Sequence, residues 1–394
     1  MMNNKLVFKL LIAIIFIFSL LFSFMPINEY AMITNPEKED VYDIILFLGQ
    51  SNMVGSARDV PETRYSRSVF NSSSIYTPGQ YAVMTKINSS ILRKNGQTLN
   101  FVSIKQTPNT VFEYKALTNS FQEIDSTQKQ NYGENLVYKN GLLLDYSKTD
   151  KSYLSLSVSS GTNMIPQFCQ TYYNKTGHKV IAVCAGIRGV AIEGFLPHND
   201  PRNIRYKNNY IYEAIKAKYL AAVNLAKSKN LNIGHKFYVI AQGENDVTAK
   251  TTTKQYKKMY KTLHYYLTKQ LGIEMGALAE TSTTPGTSTM KQVNQVHQAQ
   301  EEIIKENPNI ILGSSYFYDR YVPTKKDYKN CNTQVTKAWN GKKLVYEEAL
   351  KRAIYSRDPS INAAGKRNLN HYTSAALCQV GLDVANRLSV YGKK

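Results

Sequence analysis

Five apolar runs, Val41–Phe47, Lys179–Ala185, Lys236–Ala241, Met275–Ala279 and Ile310–Leu312, alternate with stretches of helical periodicity. A run that is apolar at successive residues is buried on both faces as a strand, and a parallel sheet covered by helices on both sides provides that environment. The stretches Met164–Lys175, Tyr210–Lys229, Thr253–Leu271, Thr287–Glu306, Leu344–Tyr355 and Ser374–Val390 read as the covering helices; Gly177 and Gly272 stop two of them. The expected fold is therefore α/β: a three-layer α/β/α sandwich around a mainly parallel five-stranded sheet. Sites in such sheets lie beyond the carboxyl ends of the strands, so the residues that follow each run come next.

The first run ends in Leu48-Gly49-Gln50-Ser51-Asn52-Met53, which places a serine hydroxyl in the turn after a buried strand. The second is followed by Gly186-Ile187-Arg188-Gly189-Val190-Ala191-Ile192-Glu193, where a glycine lets backbone approach a ligand and turn an N–H towards a developing oxyanion. The third is followed by Gln242-Gly243-Glu244-Asn245-Asp246, which supplies side-chain amides beside a glycine turn. Near the C-terminus, Asn368-Leu369-Asn370-His371-Tyr372 precedes the last helix. Ester hydrolysis needs a hydroxyl, a base suited to neutral pH and preorganised oxyanion donors; Ser51, His371, a glycine N–H and Asn245 meet that list. Each has an ordinary structural explanation alone. Their recurrence at successive strand ends is what points to one site.

The order of these blocks resembles the SGNH (GDSL-like) hydrolase superfamily, and within it the carbohydrate-esterase branch of sialate O-acetylesterase and acetylxylan-esterase type. Gly49–Met53 matches that branch's Gly-Gln-Ser-Asn-Met block letter for letter. Gly189–Phe195 is similar to its Gly-Gly-Thr/Ser-x-Ile-x-x-Trp block, with Arg188 for the first glycine and Phe195 for the tryptophan. Gln242–Asp246 is similar to its Gln-Gly-Glu-Ser/Asn-Asp block, and His371-Tyr372 to the end of its Asp-x-x-His block, where Asn368 replaces the aspartate. Two further stretches, Phe112–Leu117 and Gly133–Leu136, also resemble such esterases. The resemblance runs from about Val41 to Leu388 and implies a flavodoxin-like sandwich. It implies Ser51 as nucleophile, His371 as base, and the N–H groups of Ser51 and Gly189 with the Asn245 amide as oxyanion hole. It gives Gln50, Asn52 and Gln242 a loop-supporting role. The place of the triad acid falls to Asn368, or to another acid such as Asp358; an Asn accepts the imidazole N–H but lacks the charge that stabilises imidazolium.

The implied reaction is removal of an O-acetyl group from a glycan through a Ser51 acyl-enzyme, with no metal and no organic cofactor. Two alternatives are acetyl transfer between glycans at the cell surface, and non-catalytic carbohydrate binding. The latter is motivated by Asn368 and by 29 tyrosines, although a single tryptophan argues against a dedicated binding platform.

The remaining sequence bounds the setting. Lys5 and Lys9 precede the uncharged run Leu10–Met25, so residues 1–27 read as a signal peptide or an N-terminal membrane anchor, the uncleaved anchor being preferred. Residues 28–40 are polar, contain Pro36 and read as a tether, leaving 41–394 as one extracytoplasmic esterase domain. Within it, 56–160 is rich in Ser, Thr, Asn and Tyr and reads as an insertion of loops and short strands that builds substrate surface. Cys169, Cys184, Cys331 and Cys378 contain no Cys-x-x-Cys pair, which excludes a disulfide scaffold and a cysteine zinc site and leaves buried thiols. The net charge of +20 suits a polyanionic partner, yet the basic residues are scattered along the sequence and no nucleic-acid motif accompanies them. The expected partners are an O-acetylated carbohydrate and, through an uncleaved N-terminus, the membrane. No nucleic acid and no obligate protein partner are implied.

Overall fold

A computed structural model describes residues 40–55, 106–125, 133–146, 154–160, 163–281, 290–316 and 374–393. The strands are β1 (Val41–Gly49), β2 (Val111–Lys115), β3 (Ser120–Glu123), β4 (Glu134–Lys139), β5 (Leu142–Asp145), β6 (Leu154–Leu156), β7 (Lys179–Cys184), β8 (Asn232–Ala241), β9 (Met275–Ala279) and β10 (Ile310–Ser314). The helices are α1 (Ser51–Val54), α2 (Ile165–Thr176), α3 (Ile211–Ser228), α4 (Glu244–Thr248), α5 (Thr253–Leu271), α6 (Met290–Glu306) and α7 (Ser374–Leu388). The five apolar runs are five strands in parallel pairing, in the order β10-β9-β8-β1-β7.

The sheet is wider than the expected five strands. Among the described residues it has seven, because β2 pairs parallel with β7 and β3 pairs antiparallel with β2 at that edge. Both extra strands come from the segment read as an insertion, as does a separate antiparallel sheet in the order β5-β4-β6. The described part of 56–160 is therefore built into the scaffold. The cause is visible in β2, where Val111, Glu113 and Tyr114 are buried while Phe112 and Lys115 are partly exposed. The helix expected at 344–355 and the N-terminal segment 1–39 lie outside the described residues. Among the described residues no helix is long and apolar enough to cross a membrane.

Alternation along β1 creates the three layers. Ile44, Leu46 and Leu48 join a core with the inner faces of α3, α5 and α6, including Tyr219, Leu263 and Val296. Ile45 and Phe47 join a second core with α2 and α7, including Phe168, Tyr172 and Val384. The buried central strand thus divides the apolar interior in two, as period-two side-chain direction requires. Cys169, Cys184 and Cys378 are buried in the second core, and desolvation raises the first two thiol pKa values well above the ordinary value. Cys331 lies outside the described residues.

Register aligns the strand ends. Phe47 pairs with Cys184, Gly49 with Ala241, and Ala241 with Ala279. The residues after β1, β7, β8 and β9 consequently lie along one carboxyl edge of the sheet.

Candidate active site

Ser51 is the first residue of α1, half-buried, immediately past the end of the central strand. The turn that puts it there depends on Gly49. At φ +142° this residue occupies backbone space that L side chains rarely adopt, and a Cβ would lie 2.1 Å from the Ala241 carbonyl oxygen. Close approach of β1 to β8 is fixed by that contact and by the Gln50 N–H donating to the same carbonyl at 3.1 Å. On the other side, the Ile187 N–H donates to the Gly49 carbonyl at 2.8 Å, drawing in the loop after β7.

The neighbours of Ser51 are tied to the block after β8. The Gln50 side-chain oxygen accepts from the Asn245 N–H at 3.2 Å. The buried Asn52 amide donates to a Glu244 carboxylate oxygen at 2.6 Å. Gln50 and Asn52 are thus each hydrogen-bonded to the block after β8. Asn245 in turn donates its side-chain amide to the Gly189 carbonyl. Gly189 adopts φ +68°, a left-handed turn suited to glycine. Hydrogen bonds thereby link Gln50 to Asn245 and Asn245 to Gly189, and Asn52 to Glu244, at the strand edge that carries Ser51. His371, Asn368 and Asp358 lie outside the described residues.

Two acids carry the wiring, and sequence reasoning gave neither a role. Asp246, fully buried, accepts from the Ile192 N–H at 2.9 Å, from the Gln242 amide at 2.5 Å and from the Thr251 hydroxyl at 3.1 Å. It therefore ties the glycine block after β7 to the block after β8. Burial pushes its carboxyl up to about 6 from an ordinary 3.8, against hydrogen bonds from Gln242, Ile192 and Thr251 that favour the charged form. Glu244 performs the corresponding tie to the Ser51 turn. Gln242 is itself clamped: its amide also reaches the Val190 carbonyl at 3.3 Å, and its side-chain oxygen accepts from Tyr256 at 3.0 Å. Gln300 of α6 donates to the Gln242 carbonyl at 2.9 Å and accepts from the Thr281 N–H at 3.0 Å. Its signal in the sequence was a polar residue inside the apolar stripe Val293, Val296, Ile303.

The segment after β6 completes the edge. The Ser157 hydroxyl accepts from the Gly186 N–H at 2.8 Å, and the Ser157 N–H returns to the Gly186 carbonyl at 2.9 Å. Asn163 donates to the Val158 carbonyl at 2.7 Å and to that of Val54, at the end of the Ser51 helix, at 3.5 Å. No group of three or more His, Cys, Asp or Glu side chains suited to a metal occurs among the described residues. Chemically, the edge presents a hydroxyl, a glycine turn and an amide on a frame of paired polar groups.

No family model matches the chain, and no curated protein matches it. Solved structures do. A protein from Arabidopsis thaliana is similar with a TM-score of 0.45 at 14% identity, over 89% of this chain and 98% of that one. A carbohydrate acetylesterase from Xanthomonas citri is similar with a TM-score of 0.36 at 13% identity, over 77% of this chain and 58% of that one. NanS is similar with a TM-score of 0.38 at 11% identity, over 90% of this chain and 97% of that one. At these TM-scores the likenesses assign no role to any residue, and the function of this chain is read from its own side chains.

Proposed function

We propose that the protein is an extracytoplasmic serine carbohydrate esterase that removes O-acetyl groups from a glycan. The observation that carries this reading is the position of Ser51: at the carboxyl end of the central strand, between Gln50 bound to Asn245 and Asn52 bound to Glu244. A nucleophile held by paired loops keeps its geometry through the reaction, which is what preorganisation requires. His371 takes the Ser51 proton as the hydroxyl attacks the acetyl carbonyl. The tetrahedral oxyanion is held by the N–H groups of Ser51 and Gly189 and by Asn245. The Asn245 amide has two N–H bonds, so the one donated to the Gly189 carbonyl orients the group while the other remains for the oxyanion. Collapse expels the sugar hydroxyl, protonated by His371, and leaves acetyl-Ser51. Water, deprotonated by His371, then releases acetate. Asn368 supports His371 as a neutral acceptor. Export follows from the basic and apolar N-terminal sequence.

Acetate release from a panel of acetylated glycans tests the assignment. Ser51→Ala should lower the rate at least about 1000-fold, the scale on which loss of a nucleophile acts. Retained release overturns the mechanism. A second reading, non-catalytic carbohydrate binding, is favoured by Asn368 in the place of the triad acid. It predicts glycan binding without acetate release, indifferent to Ser51→Ala.

A further inference from the structure

A cavity of about 650 Å³ adjoins the candidate site. Its walls come from the two loops that build that site. Glu193, Arg202 and Arg205 belong to the chain after β7; Lys250, Thr251 and Lys258 belong to the chain after β8. Both loops are shared directly. Thr251 donates to the buried Asp246, and Tyr206, next to Arg205, donates its hydroxyl to the Gly189 carbonyl at 3.3 Å.

The lining carries four cations against one carboxylate. Two are neutralised internally: Arg202 by Asp200 at 2.5 Å, and Arg205 by Glu193 at 2.5 Å. Lys250 and Lys258 are exposed, and neither forms an ion pair among the described residues. Lys250 holds φ +59° in the turn that ends α4, where its N–H donates to the Val247 carbonyl at 3.2 Å. Like charges gathered in a concave wall focus positive potential and raise the local concentration of anions. Pro201, Ile204 and Met259 add apolar surface to the same wall, and Ile204 is 71% exposed. A cationic cavity with an apolar side is suited to an acidic sugar.

Resting on the reading of Ser51 as a glycan esterase, we propose that this cavity is a subsite for the acidic groups of an anionic polysaccharide, and that the substrate is an acetylated polymer rather than an acetylated monosaccharide. Ser51, Gly189 and Asn245 are not among the residues that line the cavity. The charge recognised there therefore sits on a sugar unit neighbouring the one whose ester is cleaved. The folded chain gathers at this point basic residues that are dispersed in the sequence.

Two measurements test this, one of them independent of catalysis. The first is titration of unacetylated polygalacturonate, with unacetylated xylan as the neutral probe, into Ser51→Ala protein. Polygalacturonate should bind, weakening steeply with added salt, and Lys250→Asn with Lys258→Gln should weaken it by about 10-fold or more. Asn tolerates the left-handed backbone at position 250, so the substitution removes charge without new strain. Lys227→Gln with Lys229→Gln, exposed at the end of α3 that feeds the opposite edge of the sheet, should leave binding unchanged. Equal weakening by both pairs indicates diffuse attraction from the net charge and overturns the subsite. The second measurement is kcat/KM on acetylated polygalacturonate against acetylated xylan. The acidic substrate should be preferred at low salt, and the Lys250/Lys258 pair should collapse that preference through KM. Turnover without such a preference overturns the subsite and leaves the esterase intact. Binding without turnover of any acetylated glycan overturns the esterase and leaves the subsite intact.

Discussion

At the scale of single residues, the site is held by buried polar atoms whose partners come from other strand ends. Asp246 is the sharpest case, because its burial and its hydrogen bonds oppose one another. Its folded carboxyl titrates near 6, above the ordinary 3.8, so the folded state favours the neutral form. The stability this contributes is present below about pH 4 and is lost as pH rises through 6, by at most roughly 3 kcal/mol. Asp246→Asn removes that titration. The difference in Tm between variant and wild type should therefore move in the variant's favour between pH 4 and 7; a constant difference contradicts the account. The strand-end positions of Gln50, Ser51, Asn52, Gly189, Gln242 and Asn245 were legible in the sequence because each lies in the short stretch that follows an apolar run. The roles of Glu244 and Asp246 were not, since nothing in a linear pattern says which N–H a buried carboxylate meets.

At the scale of elements, alternation of apolar runs with helices was enough to recover five parallel strands and five covering helices, with bounds that shift by only a few residues. It could not supply β2 and β3. Short strands at a sheet edge carry mixed patterning, and their partner, β7, is remote in sequence. Besides the β2–β7 pairing, a buried ion pair fastens the insertion to the scaffold: Lys218 of α3, fully buried, lies 2.5 Å from Glu134 of β4 and donates to the Cys184 carbonyl at 2.9 Å. Its sequence signal was a lysine in the helix stripe Ile211, Ile215, Ala222, the same kind of exception as Gln300 in α6. Nearby, burial raises the Glu113 carboxyl pKa while Lys115 and Lys218 oppose that shift. Lys218→Ala strands Glu134 and the carbonyl, and should cost about 3–5 kcal/mol in denaturant unfolding. A loss near that of an exposed lysine contradicts the structural role assigned to the pair.

At the scale of the whole molecule, one sheet edge collects what the chain distributes over some two hundred residues, from Ser51 to Thr281. The same packing turns a dispersed basic composition into a local cationic cavity beside that edge. The net charge was legible from composition, but its focus was not, because it depends on which loops meet. Acylation of Ser51 during turnover is decided by mass spectrometry after treatment with a serine-directed fluorophosphonate. Stoichiometric labelling of the peptide carrying Ser51 is expected, in parallel with loss of acetate release and absent from Ser51→Ala. Labelling at another serine, or full loss of acetate release with Ser51 unmodified, contradicts it.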